Sequence, residues 1–162
     1  MKNILLVRHA KSSWDSPLVK DFDRPLNERG LKDAPAMAQR LLEKGVTIDA
    51  FITSPAVRAI TTCTIFANAF NKQSHITAYR DLYNAPARMF LKAIKKAEDE
   101  WNTIAIFAHN PGITDFANTL TDTNIDEMPT CSIFAVHADI SHWKDFEKAQ
   151  KKFWFFDYPK ND

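Results

Sequence analysis

The chain has 162 residues, 45% hydrophobic and 25% charged, which suits one globular domain spanning 1–162 that buries roughly two-thirds of its unfolded surface. Lys and Arg number 21 against 20 Asp and Glu, so the net charge of +1 excludes a global field that would steer the protein to nucleic acid or an acidic membrane. The four apolar residues after Met1-Lys2-Asn3 are too few for a signal-peptide core, and no run approaches the roughly eighteen apolar residues of a membrane span, so a cytoplasmic monomer is expected.

Extended and helical patterns alternate along the chain. Asn3 to Val7 reads as a buried strand, followed by a polar loop from Lys11 to Pro25. Asn27 is the predicted N-cap and Gly45 the stop of a helix whose apolar positions are Leu31, Ala34, Ala38, Leu41 and Leu42. After a short strand at Ala50-Phe51-Ile52-Thr53, Ser54 is the predicted N-cap and Pro55 the first-turn proline of a second helix. Its stripe is Ala59, Ile60, Cys63, Phe66 and Phe70. A third strand is predicted near Ile76 to Tyr79. A helix from Pro86 then carries Met89, Phe90, Ala93, Ile94 and Ala97, with Lys95, Lys96 and Glu98 facing water. Thr103 to Ala108 is a fourth strand, and Asn110-Pro111 opens a helix with Phe116, Ala117 and Leu120. Two extended segments close the chain, Ser132 to Val136 and Phe153 to Phe156, the second read as a buried strand packed on both faces. This alternation predicts a three-layer α/β/α sandwich around a mostly parallel sheet. Cys63 and Cys131 stand far apart without a CxxC, as expected of buried reduced thiols. His75, His137 and His142 lie away from strand ends and read as surface or satisfied core histidines.

Three motifs share one placement. Arg8-His9 follows the first predicted strand, Ser54-Pro55-Ala56-Val57-Arg58 follows the second, and His109-Asn110-Pro111-Gly112 follows the fourth. In open α/β sheets ligands bind beyond the strand ends, so residues distant in sequence can line one pocket there. Each motif alone has an ordinary structural explanation; their convergence does not. Arg58 falls in the first turn of a helix, where the dipole opposes a cation, so an anion is expected nearby. The backbone N–H groups of Gly112 and Ile113 are predicted as a further seat for a phosphate oxygen. A histidine beside an arginine at such a site can attack a phosphoryl group that the arginine holds.

Val7-Arg8-His9-Ala10, Thr53-Ser54-Pro55 with Arg58, and Ala108-His109-Asn110-Pro111-Gly112 resemble the signature blocks of the histidine phosphatase superfamily, with its phosphoglycerate-mutase-like fold. Arg8 through Trp14, Asp23 through Gly30, Pro129-Thr130-Cys131 and Phe156-Asp157-Tyr158-Pro159 are similar to the small SixA-type phosphohistidine phosphatases. The resemblance implies a nucleophilic His9 that passes through a phosphohistidine intermediate. Arg8, Arg58 and His109 would clamp the phosphoryl oxygens, and Asn110, Gly112, Ser12 and Lys11 would help bind substrate. It implies no cofactor and no metal, since the four side chains supply the positive charge.

Three positions depart from the family pattern. Residue 10 is Ala where many members have Gly, and Asp15 stands where mutase-like members often have Asn. Members that cleave alcohol phosphates offer a carboxylic acid after the third strand, where this chain has Asn84. Asp81, Asp15 and Asp21 are the candidate general acids that remain. A weak acid suits a labile P–N bond, so the expected substrate is phosphohistidine on a signalling or phosphotransfer protein. The alternatives are a broad small-molecule phosphomonoesterase and a catalytically silent phosphate- or nucleotide-binding module.

Overall fold

Four consecutive apolar residues, Ile4 to Val7, can all be buried only if a strand is covered on both faces. The computed structural model, which describes residues 1–161, places them at the centre of a six-stranded sheet with order β3-β2-β4-β1-β5-β6. The strands are β1 (Lys2–Arg8), β2 (Ala50–Thr53), β3 (Ile76–Ala78), β4 (Thr103–Ala108), β5 (Ile133–Ala138) and β6 (Lys151–Asp157). β3, β2, β4 and β1 run parallel, whereas β5 and β6 are antiparallel additions. The helices are α1 (Glu28–Glu43), α2 (Val57–Ala69), α3 (Ala87–Lys95) and α4 (Gly112–Leu120). Alternation along β1 divides the core. Leu5 and Val7 pack with α1 and α2, while Ile4 and Leu6 pack with α3 and α4. The result is the expected mostly parallel α/β/α sandwich.

Several expectations need local correction. In α1 the buried face is Gly30, Ala34, Met37, Ala38 and Leu41, and Leu31 and Leu42 are exposed because they flank that stripe. Asn27 caps the helix by accepting from the Gly30 N–H at 2.9 Å. Gly30 is needed where it stands, since a Cβ there would come within 2.2 Å of the Lys11 carbonyl oxygen. Helix α2 begins later than predicted: Ala56, not Ser54, is its N-cap. The Ser54 hydroxyl instead accepts from the Ala56 N–H and contacts His109. Strand β6 is a sheet edge, so Phe153 to Phe156 are half-buried rather than buried. Its side chains do divide between the two faces, with Phe153 and Phe156 on one and Trp154 and Phe155 on the other. Both cysteines are free and buried.

The parallel run brings the C-terminal ends of β1, β2 and β4 to one edge. Arg8 lies opposite Ala108 and Thr53 opposite Phe107. The His9 N–H donates to the Ala108 carbonyl at 3.1 Å, and the Ser54 N–H donates to the Phe107 carbonyl at 2.9 Å. Main-chain hydrogen bonds therefore lace the three strand-end motifs together. Among the described residues no helix is long and apolar enough to cross a membrane.

Candidate active site

His9 is the first residue beyond β1. Its carbonyl and that of Arg8 both accept from the Cys131 N–H, at 3.0 and 3.1 Å. Cys131 reaches them from a left-handed conformation, φ 61°, so the Pro129-Thr130-Cys131 turn works as a backbone clamp. On the other side the Ala10 N–H donates to Thr62 Oγ1 at 3.0 Å, and that hydroxyl donates to the Arg58 carbonyl at 2.8 Å.

The ring of His9 is held 2.7 Å from the Ala10 carbonyl through Nδ1. A carbonyl only accepts, so Nδ1 carries the proton and the lone pair is on Nε2. Burial pushes the His9 pKa down to about 3 against the pull of the Ala10 carbonyl, and the charges of His109, Arg58 and Arg8 add to the effect. At neutral pH the ring is therefore an uncharged imidazole with a nucleophilic nitrogen.

Three further residues complete the convergence. The His109 ring centroid lies 5.1 Å from that of His9, and its Nε2 is 2.8 Å from Ser54 Oγ. With the Ser54 hydroxyl, which accepts from the Ala56 N–H, taken as the donor to His109 Nε2, the ring proton is assigned to Nδ1. Burial lowers the His109 pKa to about 4, helped by Arg58 and Arg8 and opposed by Asp21. Arg8 donates from Nη1 to the Met128 carbonyl at 2.9 Å. Arg58, 5% exposed, donates from Nη1 to the Asp21 carbonyl at 2.6 Å and from Nη2 to Asp21 Oδ2 at 3.1 Å. Arg8 Nε, Arg58 Nε and His109 Nδ1 are buried without a partner in the protein. All three are N–H donors, the groups that an oxyanion satisfies.

These residues line a pocket of about 480 Å³ together with Lys11, Ser12, Trp14, Asp21, Arg24, Tyr83, Asn84 and Asn110. Four cations and one carboxylate share this lining, and both histidines are neutral. Lys11 is exposed at the rim, and the Ser12 hydroxyl accepts from Arg24 at 2.6 Å. Asn110 reaches the pocket with its polar atoms committed. Its amide donates to the Met128 carbonyl and Glu127, and its oxygen accepts from Thr114.

Gly112 does not reach this pocket. It packs against the next loop, where a Cβ would approach the Ala85 carbonyl oxygen to 1.9 Å. The Ile113 N–H is not free either, because it donates to the His109 carbonyl at 2.9 Å. Of the two amides predicted as a phosphate seat at the start of α4, that of Ile113 is thus taken by the chain itself. Of the three candidate acids, Asp81 pairs with Lys92 at 2.9 Å outside the pocket, and Asp15 borders a separate depression beside Pro25 and Asn27. Only Asp21 lines the pocket, and its carboxyl is held down at about 2. Partial burial would raise it, but hydrogen bonds from Tyr83 and Arg58 and the charge of Arg58 outweigh that, with Arg24 adding to them. As an ionised group it has no proton to give.

Sequence reasoning missed Tyr83 and Trp14 as pocket residues, and Arg24 joins them in the lining. Tyr83 donates to Asp21 Oδ2 at 2.6 Å. Arg24 is 7% exposed, and its guanidinium lies 3.5 Å from the Trp14 ring centroid. The i,i+3 pair of Asp21 and Arg24, 3.2 Å apart, was the only local signal for this cluster.

Comparison with known proteins agrees with this arrangement. The profile of the histidine phosphatase superfamily (branch 1) matches residues 4–85. An uncharacterised protein of Mycobacterium tuberculosis is 30% identical over 152 residues, 87% of this chain and 92% of that one. The structure of the protein histidine phosphatase SixA complexed with tungstate superposes with a TM-score of 0.83 at 20% identity, over 98% of both chains. A structure assigned as phosphohistidine phosphatase SixA from Agrobacterium tumefaciens gives 0.81 at 24% identity, again over 98% of both. A matching profile over half the chain, a full-length relative and a histidine-centred cationic pocket lead to one conclusion: the protein belongs to branch 1 of the histidine phosphatase superfamily and is a histidine-based phosphatase.

Proposed function

We propose that the protein hydrolyses phosphohistidine on other proteins, using His9 as nucleophile. The observation that carries this reading is the pairing of a neutral His9 with a pocket whose one lining carboxylate, Asp21, is pinned in its ionised form. His9 Nε2 attacks phosphorus, the P–Nε2 bond forms, and the bond to the leaving group breaks with its electron pair on that group. Water then attacks the phosphorylated His9, releasing inorganic phosphate and returning the neutral ring. Arg8 and Arg58 hold equatorial oxygens and His109 Nδ1–H donates to a third, while Lys11 and Ser12 stand at the rim. An alkoxide leaving group would need a proton that Asp21 cannot supply; an imidazole does not. Tungstate is itself a tetrahedral oxyanion, and a complex of it with SixA, which shares this fold, is consistent with binding of a phosphoryl-sized anion. In this reading a single chain acts in the cytoplasm on a protein substrate.

The test compares initial rates on a phosphohistidine-bearing protein and on a panel of phosphate esters, with and without chelator. Preferential turnover of phosphohistidine, unaffected by chelator and reduced by at least roughly 10³-fold in His9→Ala, is expected. Faster turnover of esters would reject the substrate assignment in favour of a broad phosphomonoesterase. Unchanged rates in His9→Ala would reject the mechanism, and anion binding without any turnover would identify a binding module.

A further inference from the structure

Asp21 is left over by the mechanism above: it is no acid, yet it sits in the lining. Its carboxylate is bonded on both oxygens. Oδ1 faces Arg24 at 3.2 Å, and Oδ2 accepts from Arg58 at 3.1 Å and from the Tyr83 hydroxyl at 2.6 Å. Its side chain is nevertheless 46% exposed, whereas that of Arg58 is 6% exposed, so Asp21 stands outward of the arginine on the open side of the pocket. Two aromatic rings accompany it in the lining. Trp14 is 73% exposed and stacks on Arg24, and Tyr83 meets His109 edge-on at 5.7 Å. A carboxylate with aromatic rings in the same lining is the chemistry that receives a flat, cationic nitrogen heterocycle.

We infer that Asp21 is the counter-ion of the leaving imidazole, pairing with the protonated far nitrogen of the substrate's phosphohistidine ring. The inference rests on the phosphohistidine reading and names what makes that substrate preferred. With the far nitrogen protonated, the P–N bond breaks with its electron pair going to the ring nitrogen that carried phosphorus. The ring then departs as neutral imidazole while the P–Nε2 bond to His9 forms. No proton has to arrive at the scissile bond. The charged groups facing Asp21 are Arg24 in its own loop and Arg58 from α2; the titratable His109 after β4 faces it through space as a neutral ring, and the Tyr83 hydroxyl is a neutral donor. The two arginines share a single carboxylate, whose open side remains available to a further N–H donor. Esters of alcohols have no second basic site for Asp21 to hold, and esters with an additional carboxylate are repelled by it.

The test is a ratio, which the active fraction of a preparation cannot change. Rates of wild type, Asp21→Asn and Tyr83→Phe are measured on a histidine peptide phosphorylated with phosphoramidate, on phosphoramidate itself, on p-nitrophenyl phosphate and on 3-phosphoglycerate. In Asp21→Asn the phosphohistidine rate should fall at least tenfold relative to both phosphoramidate and p-nitrophenyl phosphate, and 3-phosphoglycerate should gain relative to p-nitrophenyl phosphate. The alkaline limb of its phosphohistidine pH profile should move to lower pH, because the substrate ring loses the charge that favours its protonation. Tyr83→Phe, which removes one of the two donors to Oδ2, should keep the wild-type phosphohistidine preference. A ratio in Asp21→Asn within twofold of wild type overturns the inference, since loosening Arg58 would slow every substrate alike. Wild-type preference for the esters would overturn the phosphohistidine reading itself.

Discussion

Acidification should destabilise the fold through the two buried histidines. A histidine in the unfolded chain titrates near pH 6.5. In the native protein burial and the neighbouring arginines hold His9 at about 3 and His109 at about 4. Between those values the unfolded state takes up protons that the native state refuses, so stability is complete above about pH 6.5 and is lost as pH falls. Each group then costs up to about 1.4 kcal/mol per pH unit, which from pH 7 to pH 5 integrates to about 2 kcal/mol per histidine and about 4 kcal/mol for the pair. Both side chains are nearly inaccessible, 6% and 5% exposed, so solvent does little to soften the effect. Asp21, held at about 2, adds its own loss only at lower pH, below the ordinary carboxylate range. Urea unfolding at pH 7, 6 and 5, at constant ionic strength and without phosphate, measures the slope. His9→Ala and His109→Ala should each remove about 2 kcal/mol of the pH-dependent loss, whatever they do to stability at pH 7. A wild-type loss below about 1 kcal/mol over the interval, or a double variant as pH-sensitive as wild type, would refute the reasoning.

Arg58→Lys should lower kcat/KM on p-nitrophenyl phosphate about 100-fold if Arg58 is the proposed clamp, because an ammonium cannot hold the Asp21 carbonyl, its carboxylate and a phosphoryl oxygen together; a change under about threefold would count against the clamp. Gly112→Ala should destabilise the protein by about 1–3 kcal/mol in thermal or urea unfolding, since its Cβ meets backbone rather than a flexible side chain; an unaltered melting temperature would contradict that packing. Thiol alkylation under native conditions should leave activity intact: Cys63 and Cys131 are fully buried, and burial pushes both thiols well above their ordinary pKa. Rapid inactivation by iodoacetamide would show that one of them is reachable.

Much of the fold was legible because its signals are local. Ile4 to Val7 and Ile104 to Ala108 are continuous apolar runs of strand length, and such runs are buried on both faces only in a covered, largely parallel sheet. The convergence of Arg8, His9, Arg58 and His109 followed from that topology, since parallel strands end at one edge. What failed depended on who competes for a hydrogen bond. Ser54 has the ideal identity for an N-cap, but His109 lies within 2.8 Å of its hydroxyl and the helix starts beyond it. Ile113 has the right position for a free amide, but the His109 carbonyl takes it. Asp81, Asp15 and Asp21 are equivalent on paper as acids. Only long-range placement separates one paired with Lys92, one beside another depression, and one locked between two arginines and a tyrosine. Tyr83 gave no local sign at all, since its partner lies sixty-two positions away.

Arg58 is where the sequence argument and the structure meet most closely. As the second residue of α2 it sits at the positive end of a helix dipole, a placement that costs about 0.3–1 kcal/mol for a cation. Asp21 offsets this with two hydrogen bonds, one from its carbonyl and one from its carboxylate; bonds to charged groups contribute about 1.5–3 kcal/mol each when buried and less when one partner is open to water, as the Asp21 side chain is. The compensation therefore reaches the guanidinium from the loop side alone. Arg58 Nε, buried and unpartnered, is not served by it, and neither are Arg8 Nε and His109 Nδ1. A loop that was only stabilising a misplaced cation would have no reason to leave three donors buried and unpartnered on residues of one pocket. The cation at the wrong end of the helix is explained by Asp21; the donors beside it are ones that an oxyanion would satisfy.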